Sequence, residues 1–350
     1  MKSEQKWDIA EVEAIFWICS EAVYSLTTGM KKIYGFAFSR NFVFFQKDKP
    51  FKWCLLKNEM TEVGNKFFNK FKNKKFRKKL INDYQRLKPK VDKKLTEYCL
   101  KDTAKMSVNE LFKWLKIFTF YYKQNFNYGF FTEAFDYVFS DKFNQALAKY
   151  NLSNEEFSDL SLIPQPTYLS IENQKLIRLA IRKKAGQDIK KNLIKHLKEY
   201  EWLATGHAGK KLIKLDYFQQ KINSLITGHK NLKRELNNLK QSRSRALKRK
   251  KEIFKKYHFN QEVLTIVDII DEIGPLHDLR KELFVKTIYY ADDVREEIAK
   301  RFGYRLADLQ FFKLKELLPL LEGKKLDRLE IKRREQFIAL DVDAKKSGLG

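Results

Sequence analysis

The chain is 350 residues long, with 71 Lys and Arg against 44 Asp and Glu, a formal charge of +27, and 43% hydrophobic and 14% aromatic residues. This length accommodates one large domain or two ordinary ones, and the apolar content excludes a disordered tail, which lacks the surface that offsets ordering entropy. Only 13 Gly and 6 Pro are present, too few for loop-dense sandwiches, propellers or Gly-rich nucleotide folds, so the composition predicts an all-α chain of several helices.

Over residues 7–26, Ile9, Val12, Ile15, Phe16, Cys19, Val23 and Leu26 recur at spacings of three and four, which predicts one helix ending at Gly29. Glu11, Glu13 and Glu21 punctuate it, so no secretory signal is read there. Phe36, Phe38, Phe42 and Phe44 then fall at even spacing, and a small aromatic hairpin is expected near residues 36–45. Helical spacing returns over residues 53–71, and the lysine-rich run beyond keeps Phe71, Leu80, Tyr84 and Leu87 apolar, with Pro89 marking a break. Ser107 with Glu110 spells a capping box for the helix carrying Leu111, Trp114, Leu115 and Phe118; Phe131, Ala134, Phe135 and Val138 line the next. Ser153 with Glu156 repeats the signature. Two prolines in LIPQPTYLS follow, which divides the chain near Tyr150 into an N-terminal helical subdomain, residues 1–150, and a C-terminal one of antiparallel helices, residues 151–350. Past that division the pattern predicts helices over 171–184 and 189–203 and a long polar helix over 217–257. An apolar helix over 263–273 should stop at Gly274 and Pro275, with shorter helices separated by Gly303 and Gly323.

Cys19, Cys54 and Cys99 are too scattered for a disulfide framework or a metal knuckle and read as reduced, mostly buried thiols of a cytoplasmic protein. The most apolar runs, 117–122 and 263–270, fall well short of the roughly 20 residues of a membrane span, so no membrane partner is expected. His196, His207, His229, His258 and His277 show no ligand spacing, and no metal site is predicted. With no GxSxG, paired acidic motif or nucleophilic Cys, no catalytic residue is assigned. Residues 204–211, ATGHAGKK, sketch a phosphate loop through Gly206, Gly209 and Lys210. Ala204 replaces its first glycine, Lys211 replaces its Mg-binding hydroxyl, and no strand pattern precedes it, so a glycine-bearing turn between helices is the expectation.

The densest charge run is KQSRSRALKRKKEIFKK, residues 240–256, opposed by Glu252 alone. Leu232, Leu236, Leu239, Arg243, Ala246, Lys250 and Ile253 trace one seam along it, apolar at its ends and charged in its middle. One reading is a partly exposed structural helix. The other is a surface for nucleic acid or another polyanion through Arg243, Arg245, Lys248 and Arg249, whose side chains should project into water, aided by lysines of residues 66–94. Lys outnumbers Arg, the better bidentate phosphate ligand, and no aromatic enters the run before Phe254, so any such binding is expected to be sequence-indifferent.

Two further stretches carry a resemblance. Residues 196–226 hold a Glu-Tyr-x-Trp block and a turn, and residues 276–340 hold Leu-x-Asp-x-Arg-Lys, Arg-x-Gly, Asp-Leu-x-Phe-x-x-x-x-Glu-Leu and Arg-x-x-x-Phe in succession. This pattern resembles the helical region of phosphoenolpyruvate synthase-like, PEP-utilising enzymes over roughly residues 150–345. The resemblance implies a non-catalytic helical module of a phosphotransferase, with an ATP-grasp domain and a swivelling phosphohistidine domain as partners in cis or in trans. It implies ATP and Mg for the whole assembly and no cofactor bound by this chain. No Gly-rich ATP-grasp strands precede residue 150, and none of the five histidines matches the phosphohistidine. Under the resemblance Trp202 and Phe337 are packing anchors, and Lys210, Lys211, Arg280, Lys281, Arg333 and Arg334 are candidate contacts to phosphate or to the neighbouring domains.

Overall fold

Strand β1 (Trp7–Val12) opens the chain in the computed structural model, which describes residues 7–228 and 231–345. It is followed by α1 (Phe16–Tyr24), a π-helical turn (Ser25–Gly29) and α2 (Met30–Tyr34), then by β2 (Arg40–Gln46) and β3 (Phe51–Leu56). Helices α3 (Glu59–Phe71), α4 (Lys74–Gln85), α5 (Leu87–Cys99), α6 (Val108–Gly129) and α7 (Phe131–Leu147) come next. Beyond them lie α8 (Asn154–Ser161), α9 (Tyr168–Lys184), α10 (Lys190–Tyr200), α11 (Leu215–Gly228), α12 (Leu232–Tyr257) and α13 (Gln261–Phe302). Short helices α14 (Leu306–Leu309) and α15 (Leu314–Leu317), then α16 (Arg328–Gln336) and β4 (Phe337–Asp343), close the described chain. The fold is mainly helical, with one small antiparallel sheet.

That sheet has the order β1-β3-β2-β4. Trp7 faces Leu56, Phe42 faces Cys54 and Phe44 faces Ala339, so the sheet draws together strands nearly 300 positions apart. The expected hairpin is therefore present, but as Arg40–Gln46 with Phe51–Leu56, inside a larger sheet. Two helical expectations are corrected here. Residues 7–12 are strand, and the first helix begins at Phe16; Trp53 lies in β3, and its helix begins at Glu59. Ile9, Val12, Ile15 and Phe16 keep a helical spacing, whereas Trp7 and Ile9 alternate as in a strand. Pairing with β3 decides between them, since strand preference depends on the partner strand more than on the local sequence. β1 is an edge strand whose Ile9 remains 57% exposed. On the inner face Val43, Phe51 and Val342 pack with Phe16, Cys19 and Val23 of α1 into a small core of their own.

Both capping boxes form: Ser107 and Glu110 open α6, and Ser153 and Glu156 open α8. Pro89 sits in the first turn of α5, where its missing N–H is tolerated, so the break falls just before it. Two other boundaries differ from expectation. Residues 217–257 are divided between α11 and α12, and His229 lies outside the described residues. The break at Gly274 and Pro275 is absent, because α13 runs 42 residues straight through them. Proline in a helix interior costs about 3 kcal/mol. α13 offsets this by packing on α4, α5, α6, α7 and α8 on both sides of the proline. Gly274 is needed for close approach: a Cβ there would lie 2.7 Å from Ile163, in the α8–α9 connection.

The main core extends from Trp17 to Ile331 and takes residues from both sides of Tyr150. Of the thiols, Cys19 and Cys54 are buried, while Cys99 is exposed. Trp202 is buried, whereas Phe337 is a correction: it lies on β4, 53% exposed, and meets the Phe44 ring on the sheet surface rather than the core. No helix among the described residues is long and apolar enough to cross a membrane.

Candidate ligand-binding site

Most of the cations singled out in the sequence are engaged within the chain. Residues 204–211 form the turn between α10 and α11, closed by a bridge between Gly206 and Gly209, and the His207 carbonyl accepts the Ile15 N–H at 2.9 Å. Gly209 has φ of +93°, which favours glycine, and a Cβ there would lie 2.9 Å from Asp292 Oδ2. That same oxygen accepts the Lys210 backbone N–H at 2.9 Å, while Lys210 Nζ reaches Asp293 at 2.6 Å and Glu296 at 3.1 Å. The outline of a phosphate loop is thus filled by carboxylates of α13. Asp292 is fully buried; Trp17 Nε1 donates to it at 3.0 Å, and burial pushes its carboxyl up to about 6 against the pull of Arg295. Burial likewise lowers Arg295 to about 10, as it donates to the Leu309 and Phe312 carbonyls. Lys211 is exposed beside this cluster.

Arg334 pairs with Glu316 and Glu330 at 2.8 and 2.6 Å, and Arg333 pairs with Glu330 on the surface. On α12 the expectation that all four cations face water is corrected for two of them. Arg243 donates to the carbonyls of Ile163, Pro164 and Gln165, and Arg249 grips Asp159 with two hydrogen bonds. The charged middle of the seam packs against the α8–α9 connection, with buried Lys250 reaching Asp271 at 2.6 Å. Backbone carbonyls and a carboxylate there stand in for the apolar residues of a regular seam. Arg245 and Lys248 alone of the four are exposed.

Arg280 and Lys281 are placed differently. They lie on α13 at the wall of a cavity of about 630 Å³, enclosed by β1, β3, α6, α7 and α13. Its walls are aromatic: Trp53 stacks on Phe130 at 6.2 Å between ring centres, and Phe126 meets both Phe130 and Phe284, at 5.9 and 5.8 Å. The His207 ring lies 4.4 Å from that of Phe284, and burial together with Arg280 lowers its pKa, which keeps it neutral at pH 7. Arg280 pairs with Glu133 from α7 through Nη2, while its Nε is buried and has no partner among the described residues. Behind this pair, His277 Nδ1 lies 3.3 Å from Asp136. Burial and Arg280 pull His277 down to about 4, and burial with Glu133 pushes Asp136 up to about 6.

The cavity is therefore an apolar hollow with a guanidinium at one side, the usual make-up of a small-molecule pocket. Sequence reasoning reached Arg280 and Lys281 only through the resemblance, and missed Glu133, Phe126, Phe130 and Phe284. Their spacing is that of core residues, and nothing local separates a wall from a core. Among the described residues no group of three or more His, Cys, Asp or Glu side chains is placed to hold a metal ion. No protein-family model, curated protein or solved structure matches this chain.

Proposed function

We propose that the chain is a non-catalytic helical module that takes up a small amphipathic anion. A carboxylate or phosphate oxygen would meet Arg280, and an apolar body would lie between Trp53, Phe126, Phe130 and Phe284. The observation that carries this reading is the 630 Å³ aromatic cavity with the Arg280 guanidinium at its wall. A charge-assisted hydrogen bond from a guanidinium to a carboxylate or phosphate oxygen is about twice as strong as a neutral one. Glu133 already offsets the guanidinium charge, which suits a ligand held mainly by its apolar part.

A helical module of a PEP synthase-like phosphotransfer system, partnered by nucleotide-binding and swivelling domains, is compatible with this reading. Support comes from Arg280 and Lys281, two of the phosphate or domain contacts the resemblance implies, which line one concave surface. The polyanion reading has less to draw on, since Arg243 and Arg249 are engaged within the chain. Trp53 supplies the test. Titration with decanoate should give a saturable change in tryptophan fluorescence below about 1 mM, equivalent to about 4 kcal/mol, and Trp53→Phe should abolish the change. A wild-type signal that fails to saturate in that range would remove the cavity as a binding site.

A further inference from the structure

Helix α6 borders a second hollow along another stripe, through Lys116, Phe120, Lys123 and Asn127, at spacings of three and four. This cleft measures about 740 Å³ and is walled on its other sides by the π-helical turn, α2 and the segment around α15. Five lysines converge on it from three separate parts of the chain: Lys32 from α2, Lys116 and Lys123 from α6, and Lys313 and Lys315 at α15. Among the described residues Glu21 is the one carboxylate in its lining, and it pairs with Lys123 at 3.0 Å. Lys32, Lys116 and Lys315 are exposed, with no ion pair among the described residues.

This arrangement contrasts with the lysines around α13. There Lys88 meets Asp92 and Glu282, Lys210 meets Asp293 and Glu296, and Lys286 meets Asp92 and Glu282. Like charges gathered on a concave surface repel one another and focus a positive potential, which a multiply charged anion relieves. The walls are fixed in advance. A Cβ on Gly29 would lie 1.8 Å from Asn127 Oδ1, so the π-helical turn and α6 are in direct contact. Ser25 and Thr28 donate back to the Glu21 and Tyr24 carbonyls, at 3.1 and 2.7 Å, within the distorted turn. Turns of this kind often accompany functional sites. Thr119 lines the floor, 4% exposed, with its hydroxyl shielded from water and unpartnered among the described residues.

We propose that this cleft binds an oligophosphate, a compact ligand with several phosphate groups in series. Ammonium groups are point charges that serve separated phosphates, whereas a single planar carboxylate favours the fork of an arginine. The cleft has the volume of a small-molecule site rather than the length of a nucleic-acid track. The site is independent of the aromatic cavity, and either can fail without the other.

Calorimetric titration with inorganic tripolyphosphate at about 50 mM salt tests the proposal on wild type and two double variants. One, Lys116→Gln with Lys315→Gln, removes cations from the cleft. The other, Arg245→Gln with Lys248→Gln, removes the same charge from exposed positions on α12. The expected result is one saturable site, weakened about tenfold or more in the cleft variant and unchanged in the α12 variant. Should the cleft variant fold poorly, Lys32→Gln carries the same comparison, with a loss of about threefold. Equal losses in both double variants, or no saturable binding by wild type, would overturn the proposal, as would binding of a single-stranded oligonucleotide but not tripolyphosphate. A nucleoside triphosphate binding more tightly than tripolyphosphate would assign the phosphates to a nucleotide; equal binding would assign them to the bare chain.

Discussion

The two hollows beside α6 are built on opposite electrostatic plans. In the aromatic cavity the two cations of the lining, Arg280 and Lys281, are matched by two carboxylates, Asp8 and Glu133, and Arg280 pairs with Glu133 directly. In the lysine cleft one glutamate faces five ammonium groups. Binding in the first should draw on apolar area and respond weakly to salt, while binding in the second should draw on charge and fall steeply as salt rises. A net charge of +27 therefore does not spread a uniform binding surface over the molecule. Many of the carboxylates are taken up by ion pairs around α13, which leaves the excess of cations elsewhere, and the part of that excess that matters is the part gathered in a concave place.

The largest effect should come from the waist of α6 between the hollows. Tyr122 is fully buried, donates to the Ile18 carbonyl at 2.9 Å and packs its ring at a tilt against those of Phe126 and Phe284. Tyr122→Ala should cost about 3–5 kcal/mol in urea unfolding and weaken both binding signals together; a loss under about 1 kcal/mol would detach the hollows from the core. Acid should act on two buried groups of α13 with opposite signs. His277 is held near 4, below its ordinary 6.5, so the stability it contributes is complete above pH 6.5 and is lost as pH falls toward 4. Asp292, raised from 3.8 to about 6, has the opposite sign: its contribution is present below about 3.8 and lost as pH rises through 6. His277→Gln should flatten the acid limb by up to about 3 kcal/mol, read from denaturation midpoints at pH 4 and 7, and an unchanged limb would place the acid sensitivity elsewhere. The smallest of these effects is at the start of α6, where Ser107→Ala should cost about 1 kcal/mol in the same unfolding measurement and leave both ligand affinities intact. A larger loss there would mean that the cap positions the hollows as well as starting the helix.

What the sequence reveals depends on how local each interaction is. The capping boxes at Ser107 and Ser153 are legible because donor and acceptor lie three residues apart. β1 and β4 are not, because their partners lie dozens to hundreds of residues away, and their apolar spacing fits a helix equally well. Pro275 signals a stop that tertiary packing overrides. The charged seam of α12 was visible as a pattern, but its meaning rests on carbonyls of residues 163–165 that only the fold brings alongside. The aromatic cavity was hidden for the same reason, as Trp53, Phe126 and Phe284 come from three distant segments.

The most direct test of the central claim asks whether the aromatic cavity reads an anionic head. Decanoate and decanol present the same apolar body, so their affinities for wild type and for a variant carrying both Arg280→Gln and Glu133→Gln isolate the guanidinium without stranding its partner carboxylate. Wild type should favour decanoate over decanol by about tenfold, as a charge-assisted hydrogen bond provides, and the variant should bind the two alike. Equal binding by wild type, or a preference that survives in the variant, would contradict the assignment of Arg280 as the anchor of the site.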